Sequence, residues 1–227
     1  MKTSTACTVI AQLALAAVFT ALVGCKSANY QQGAATGAGA VQAAAKIQQG
    51  ITNIDAVLTA MNNLSNTSQG DLVPKYKQFS TDVSNLKESA QNVKDRVADM
   101  RENGNAYLNA WDEQLAQIKN EDIKARSTER KQAVQKELND IKKSYTEVQM
   151  SFDPFMSNLT DIQTALGNDL TTGGVDSVKG AMETANKHGT EVKESLNKLA
   201  GEFRDLGVAM ATSAPAPAGT ATNAPAQ

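Results

Sequence analysis

The feature that most constrains this chain is a three-and-four spacing of apolar residues that recurs in four separate segments. The first stripe runs through Ala44, Ile47, Ile51, Ile54, Leu58 and Met61. The second runs through Leu72, Tyr76, Phe79, Val83, Leu86, Ala90, Val93, Val97, Met100, Gly104, Tyr107 and Trp111. A third passes through Val134, Leu138, Ile141, Tyr145, Val148, Phe152, Phe155, Leu159, Ile162 and Leu166. The fourth passes through Val175, Val178, Met182, Ala185, Gly189, Val192, Leu196, Leu199, Phe203, Leu206 and Met210. Side chains at these intervals share one face of an α-helix. None of the segments alternates with period two, as a half-buried strand would. The fold is therefore predicted to be all-α: an elongated antiparallel bundle of three to four long helices with coiled-coil-like packing. A composition of 41% hydrophobic but only 4% aromatic residues suits such helices, which bury a narrow stripe and leave most of their surface in water.

The breaks between stripes carry turn chemistry. Residues 65–71 (SNTSQGD) form a turn in which Asp71 can cap the second helix, with Pro74 in that helix's first turn. Thr171-Thr172-Gly173-Gly174 separates the third and fourth helices, and a subtler break lies near Lys119-Asn120-Glu121. The helices are predicted over 41–64, 72–118, 122–168 and 174–210. At ~1.5 Å per residue the first reaches about 36 Å and the second and third about 70 Å. One end should then hold four helices, while the other thins to a two-helix hairpin tip near Asn120. Exposed pairs such as Glu194 with Lys198 support single helices. Phe152 and Phe155 flank Pro154, and counting from the turns sets them beside Ala90, Ala185 and Gly189. Large rings opposite small residues make a core layer or, alternatively, a pocket for a small apolar molecule.

Both ends differ from the middle. Residues 9–24 (VIAQLALAAVFTALVG) are almost wholly apolar, follow a start containing Lys2, and precede a stretch with no acidic residue before Asp55. That is the pattern of a secretory signal peptide, too short to span a bilayer comfortably. Leu22, Val23, Gly24 and Cys25 at its exit resemble the lipobox of bacterial lipoproteins. The resemblance implies lipidation of Cys25, cleavage after Gly24 and stable anchoring by several acyl chains. Lys26, where the familiar inner-membrane retention signal has Asp, implies the outer membrane, facing the periplasm. The expected organisation is a signal peptide (1–24), lipidated cysteine and flexible tether (25–40), helical bundle (41–210) and disordered Pro/Ala/Thr tail (211–227).

The mature chain also resembles the bacterial family known as domain of unknown function (DUF) 2959, helical lipoproteins without an established activity. The likeness is carried by Gly70-Asp71-Leu72, Tyr107-Leu108-Asn109-Ala110-Trp111, Ser127-Thr128-Glu129-Arg130, Phe152-Asp153-Pro154-Phe155 and Asn168-Asp169-Leu170, in that order, over roughly residues 40–205. It implies the helical fold and supplies no catalytic residue.

Chemistry is sparse. His188 is the single histidine, and no nucleophile at helical spacing makes it a catalytic base. Of two cysteines, Cys7 falls in the leader and Cys25 is expected to be acylated, so neither a disulfide nor a thiolate metal site is expected. Gly173-Gly174 is not a phosphate-binding loop. Without Lys2 the charge is 21 basic against 24 acidic residues, with no basic arm for nucleic acid. No catalytic residue, metal or cofactor is expected, and the chain is not expected to be an enzyme. Tyr107, Trp111 and Arg130 cluster near the predicted tip as a candidate partner-binding surface; the structural alternative is that Trp111 staples the hairpin with Arg130 over its ring. The expected role is a structural or adaptor lipoprotein that meets another envelope protein or a second copy. The alternative is a small-molecule or lipid binding module.

Overall fold

The computed structural model describes residues 29–67 and 72–211. Four helices make up these residues: α1 (Asn29–Ser65), α2 (Leu72–Leu115), α3 (Glu121–Asn168) and α4 (Thr172–Ala211). The leader, Leu22, Val23, Gly24, Cys25, the Asp71 cap and residues 212–227 lie outside the described residues.

The predicted stripes form the core. Phe79, Phe155 and Phe203 are fully buried, together with Ile47, Ile54, Met61, Leu86, Leu159, Ile162, Leu166 and Leu199. Each such side chain contributes roughly 1.5–3 kcal/mol of burial. The helices form a closed square: α1 packs on α2 and α4, and α3 on α4 and α2, while the diagonal pairs meet only through side chains in the shared core. Each seam is antiparallel. Lys193 pairs with Asp55 at 2.7 Å between α4 and α1, and the Tyr76 hydroxyl donates to the Gln163 carbonyl at 2.9 Å between α2 and α3. Lys198 reaches across to Glu147 on α3 at 2.7 Å rather than along its own helix to Glu194. The α2–α3 seam is the loosest of the four.

The largest departure from the predicted boundaries is at the start of α1. Residues 29–40, expected within a flexible tether, are helical and packed. Glycine lowers helix propensity by about 1 kcal/mol per residue, which is why Gly33, Gly37 and Gly39 suggest coil. Here two of those glycines admit neighbours. A Cβ on Gly33 would lie 3.1 Å from the Tyr107 ring, and one on Gly37 would lie 2.9 Å from Met210 Cβ and 3.3 Å from the Gly207 carbonyl oxygen. Tertiary packing outweighs the local preference. All four helices therefore reach the level of Tyr107 and Arg130, and the two-helix tip shrinks to the turns beyond Trp111 and before Ser127.

The turns have local causes. Asn120 caps α3, its side-chain oxygen accepting from the Ile123 amide at 3.1 Å, with Glu121 and Asp122 in the positively polarised first turn. At the other end the Gly174 amide donates to Thr171 Oγ1 at 3.1 Å. A Cβ on Gly174 would fall 2.0 Å from the Asp169 carbonyl oxygen, so this turn closes only around glycine.

Candidate functional site

Tyr107 and Trp111 stand one turn apart on α2, so their rings meet on one face, with centroids 5.3 Å apart and planes tilted by 55°. Tyr107 is only 6% exposed because α1 passes over it at Gly33. Burial pushes its phenol above the usual value, and the positive charge of Arg130 acts in the opposite direction. The Trp111 indole nitrogen donates to Ser127 Oγ at 2.9 Å, tying α2 to α3. Beside it Lys131 bonds the Asp112 carboxylate at 2.5 Å. Arg130 turns to the other seam, and its Nη2 donates to the Ala209 carbonyl at 2.5 Å. A cation on a last-turn carbonyl complements the negative end of α4.

The three tip residues singled out by sequence thus share one end of the bundle, with Tyr107 and Trp111 in ring contact. Trp111 spends its indole N–H on holding α2 to α3, and Arg130 spends its guanidinium on holding α3 to α4. The same end exposes Ile123 (57%) in the first turn of α3 and Tyr30 (49%) at the start of α1. Lys119 and Lys124 flank Ile123 and are not in the ion pairs seen among the described residues.

A second feature was not foreseen as a whole. Along the loose α2–α3 seam lie two adjoining hollows of about 300 and 440 Å³ that share Lys94, Tyr145 and Gln149. The first is floored by Leu86, Val93, Val148, Phe152 and, from the far helices, Ile54 and Leu196. It contains the Phe152–Ala90 apposition expected from sequence. Phe155, by contrast, turns inward: its ring would lie 3.2 Å from a Cβ on Gly189. The second hollow is rimmed by Lys94, Arg101 and Lys142. Its trace in the sequence is the heptad-spaced row Lys87, Lys94 and Arg101 alongside the apolar stripe, a pattern that an ordinary solvated face also carries. Burial, and then the negative charges of Asp95 and Asp153, push the Tyr145 phenol up, so it stays neutral at physiological pH.

His188 is half-buried on the α3–α4 seam, with the Asn158 amide nitrogen 3.4 Å from its Nδ1. Among the described residues no group of three or more His, Cys, Asp or Glu side chains could hold a metal ion. Nor, among them, is any helix long and apolar enough to cross a membrane.

These features define an antiparallel four-helix bundle with one end stapled by aromatic and cationic side chains and one seam left open. The chain belongs to the family described as protein of unknown function (DUF2959), which matches residues 36–204. Searches of curated proteins and of solved structures gave no match.

Proposed function

We propose that the chain is a non-catalytic lipoprotein of the cell envelope, anchored through Cys25 at the periplasmic face of the outer membrane. The bundle serves there as a structural or adaptor element. One observation carries the arrangement: α1 begins at Asn29, four positions after Cys25, at the end that also holds the α2–α3 turn. Four extended residues span at most about 14 Å. An acylated Cys25 therefore keeps the Tyr107–Trp111 end close to the bilayer and points the opposite end, with the α1–α2 and α3–α4 turns, roughly 60 Å away from it. The exposed Ile123 and Tyr30 suit contact with a lipid surface, and Lys119 and Lys124 beside them are balanced by Glu121 and Asp122. A protein partner or second copy meeting Tyr107, Trp111 or Arg130 would do so at the membrane rather than at a distance from it.

Replacing the anchoring thiol tests this reading. Cys25→Ala should abolish incorporation of labelled palmitate and leave the leader uncleaved, with helix content unchanged. Labelling of the variant equal to the parent's would overturn the anchor. For the adaptor role, a photocrosslinking residue at Asn120 should give a discrete envelope-protein adduct that a probe at Lys143 does not.

A further inference from the structure

The open α2–α3 seam has the polarity of a ligand. Its second hollow gathers Lys94, Arg101 and Lys142 without a single carboxylate in its lining. None of the three is in an ion pair among the described residues, although the same bundle pairs Lys131, Lys136, Lys179, Lys193 and Lys198. Three like charges around a hollow whose own lining holds no carboxylate favour an anion between them. The neighbouring hollow has an apolar floor instead, and its one carboxylate, Asp153, lies at the far end with Lys87. Beneath it sits Gly50, buried in mid-helix, where an added Cβ would meet nothing within 4 Å. Helix packing therefore gives no reason for a glycine there, whereas a side chain would fill the hollow.

We infer that this groove binds a long-chain fatty acid, its carboxylate held by Lys94, Arg101 and Lys142 and its acyl chain laid over Val93, Val148 and Phe152 toward Gly50. From Lys87 to Arg101 the groove runs ~21 Å, which accommodates one extended acyl chain, and its volume lies in the range of small-molecule sites. A single tail fits because the trough is only the gap between two neighbouring helices. The orientation follows from charge: Lys87 and Asp153 offset one another at one end, and the three cations attract a carboxylate at the other. Tyr145, shared by both hollows and without a hydrogen bond among the described residues, offers a neutral hydroxyl at the junction. This binding goes beyond the anchored-bundle reading and does not depend on it.

Fluorescence titration of the purified chain with cis-parinarate, a long-chain carboxylate, tests the inference, with its methyl ester as the uncharged control. The acid should bind one per chain and be displaced by palmitate, and the ester should bind at least about tenfold more weakly. Lys94→Ala combined with Arg101→Ala should weaken the acid by a similar factor and leave the ester unchanged. Gly50→Leu should abolish binding of both while melting no lower than the parent, because it fills space rather than displacing a neighbour. Absence of parinarate binding overturns the proposal, as does equal affinity for acid and ester, or binding undisturbed by Gly50→Leu. A concentration-dependent dimer that Gly50→Leu dissociates would assign the groove to a second copy instead.

Discussion

The Tyr107 ring rests directly on Gly33, so close that a single Cβ at that position would stand 3.1 Å from the ring. This contact joins the first turns of α1 to the last turns of α2. It brings the start of the bundle, and with it the expected lipid anchor, to the α2–α3 turn.

Gly33→Leu should therefore be destabilising. Inserting a branched side chain beneath a buried ring costs about 1–3 kcal/mol through overpacking. A surface or tether substitution would stay within about 0.5 kcal/mol. Chemical denaturation of parent and variant separates the two, and hydrogen exchange should place the new opening in residues 29–40.

The Trp111–Ser127 hydrogen bond gives a second prediction. Ser127→Ala leaves the half-buried indole N–H without its partner and should lower stability by about 1 kcal/mol. Trp111→Ala removes the ring as well, strips cover from Tyr107 and should cost more, about 3 kcal/mol. Urea unfolding measures both. If neither substitution changes the midpoint, these side chains do not staple the end.

The Glu147–Lys198 pair predicts a pH dependence. The hydrogen bond to Lys198, followed by attraction to that cation and to Lys143, holds the Glu147 carboxyl below its usual range. The same hydrogen bond and the charge of Glu147 raise Lys198. A lowered acid stabilises the fold above its unfolded value of about 4.3, and that contribution is lost as pH falls through the lower folded value. A raised lysine stabilises below its unfolded value of about 10.4 and loses the contribution as pH rises through the higher folded value. The difference between parent and Glu147→Gln should be largest between these limits and shrink toward acid, as read from urea midpoints at neutral and strongly acidic pH. Both groups are exposed, so salt should also reduce it.

Most of the architecture was legible because a stripe such as Val192, Leu196, Leu199, Phe203 and Leu206 permits one reading: all five are buried on one face of α4. The Phe155–Gly189 apposition followed from counting residues away from turns, since antiparallel helices fix register. The start of α1 was not legible, because Gly33 and Gly37 lower helix propensity locally and the Tyr107 and Met210 contacts that compensate are distant in sequence. Arg130 shares the Tyr107–Trp111 end as expected, but instead of lying over the Trp111 ring it bonds Ala209, a contact that depends on how far α4 extends. The groove escaped for a different reason. Apolar periodicity identifies which face of α2 and α3 turns inward, yet it does not set how far apart two neighbouring helices stand. The row of cations at Lys87, Lys94 and Arg101 was visible, but nothing in its spacing distinguished a lined trough from an ordinary solvated face.

The orientation of the bundle on the membrane is tested most directly by depth-dependent quenching in lipid vesicles. The acylated chain would carry a fluorophore at Asn120 in one preparation and at Asn66 in another, with quenchers attached to the lipid headgroups. Asn120 at the α2–α3 turn should be strongly quenched, and Asn66, roughly 60 Å away along the helices, should be untouched. Equal quenching at both sites, or stronger quenching at Asn66, would contradict the placement of the Tyr107–Trp111 end against the bilayer.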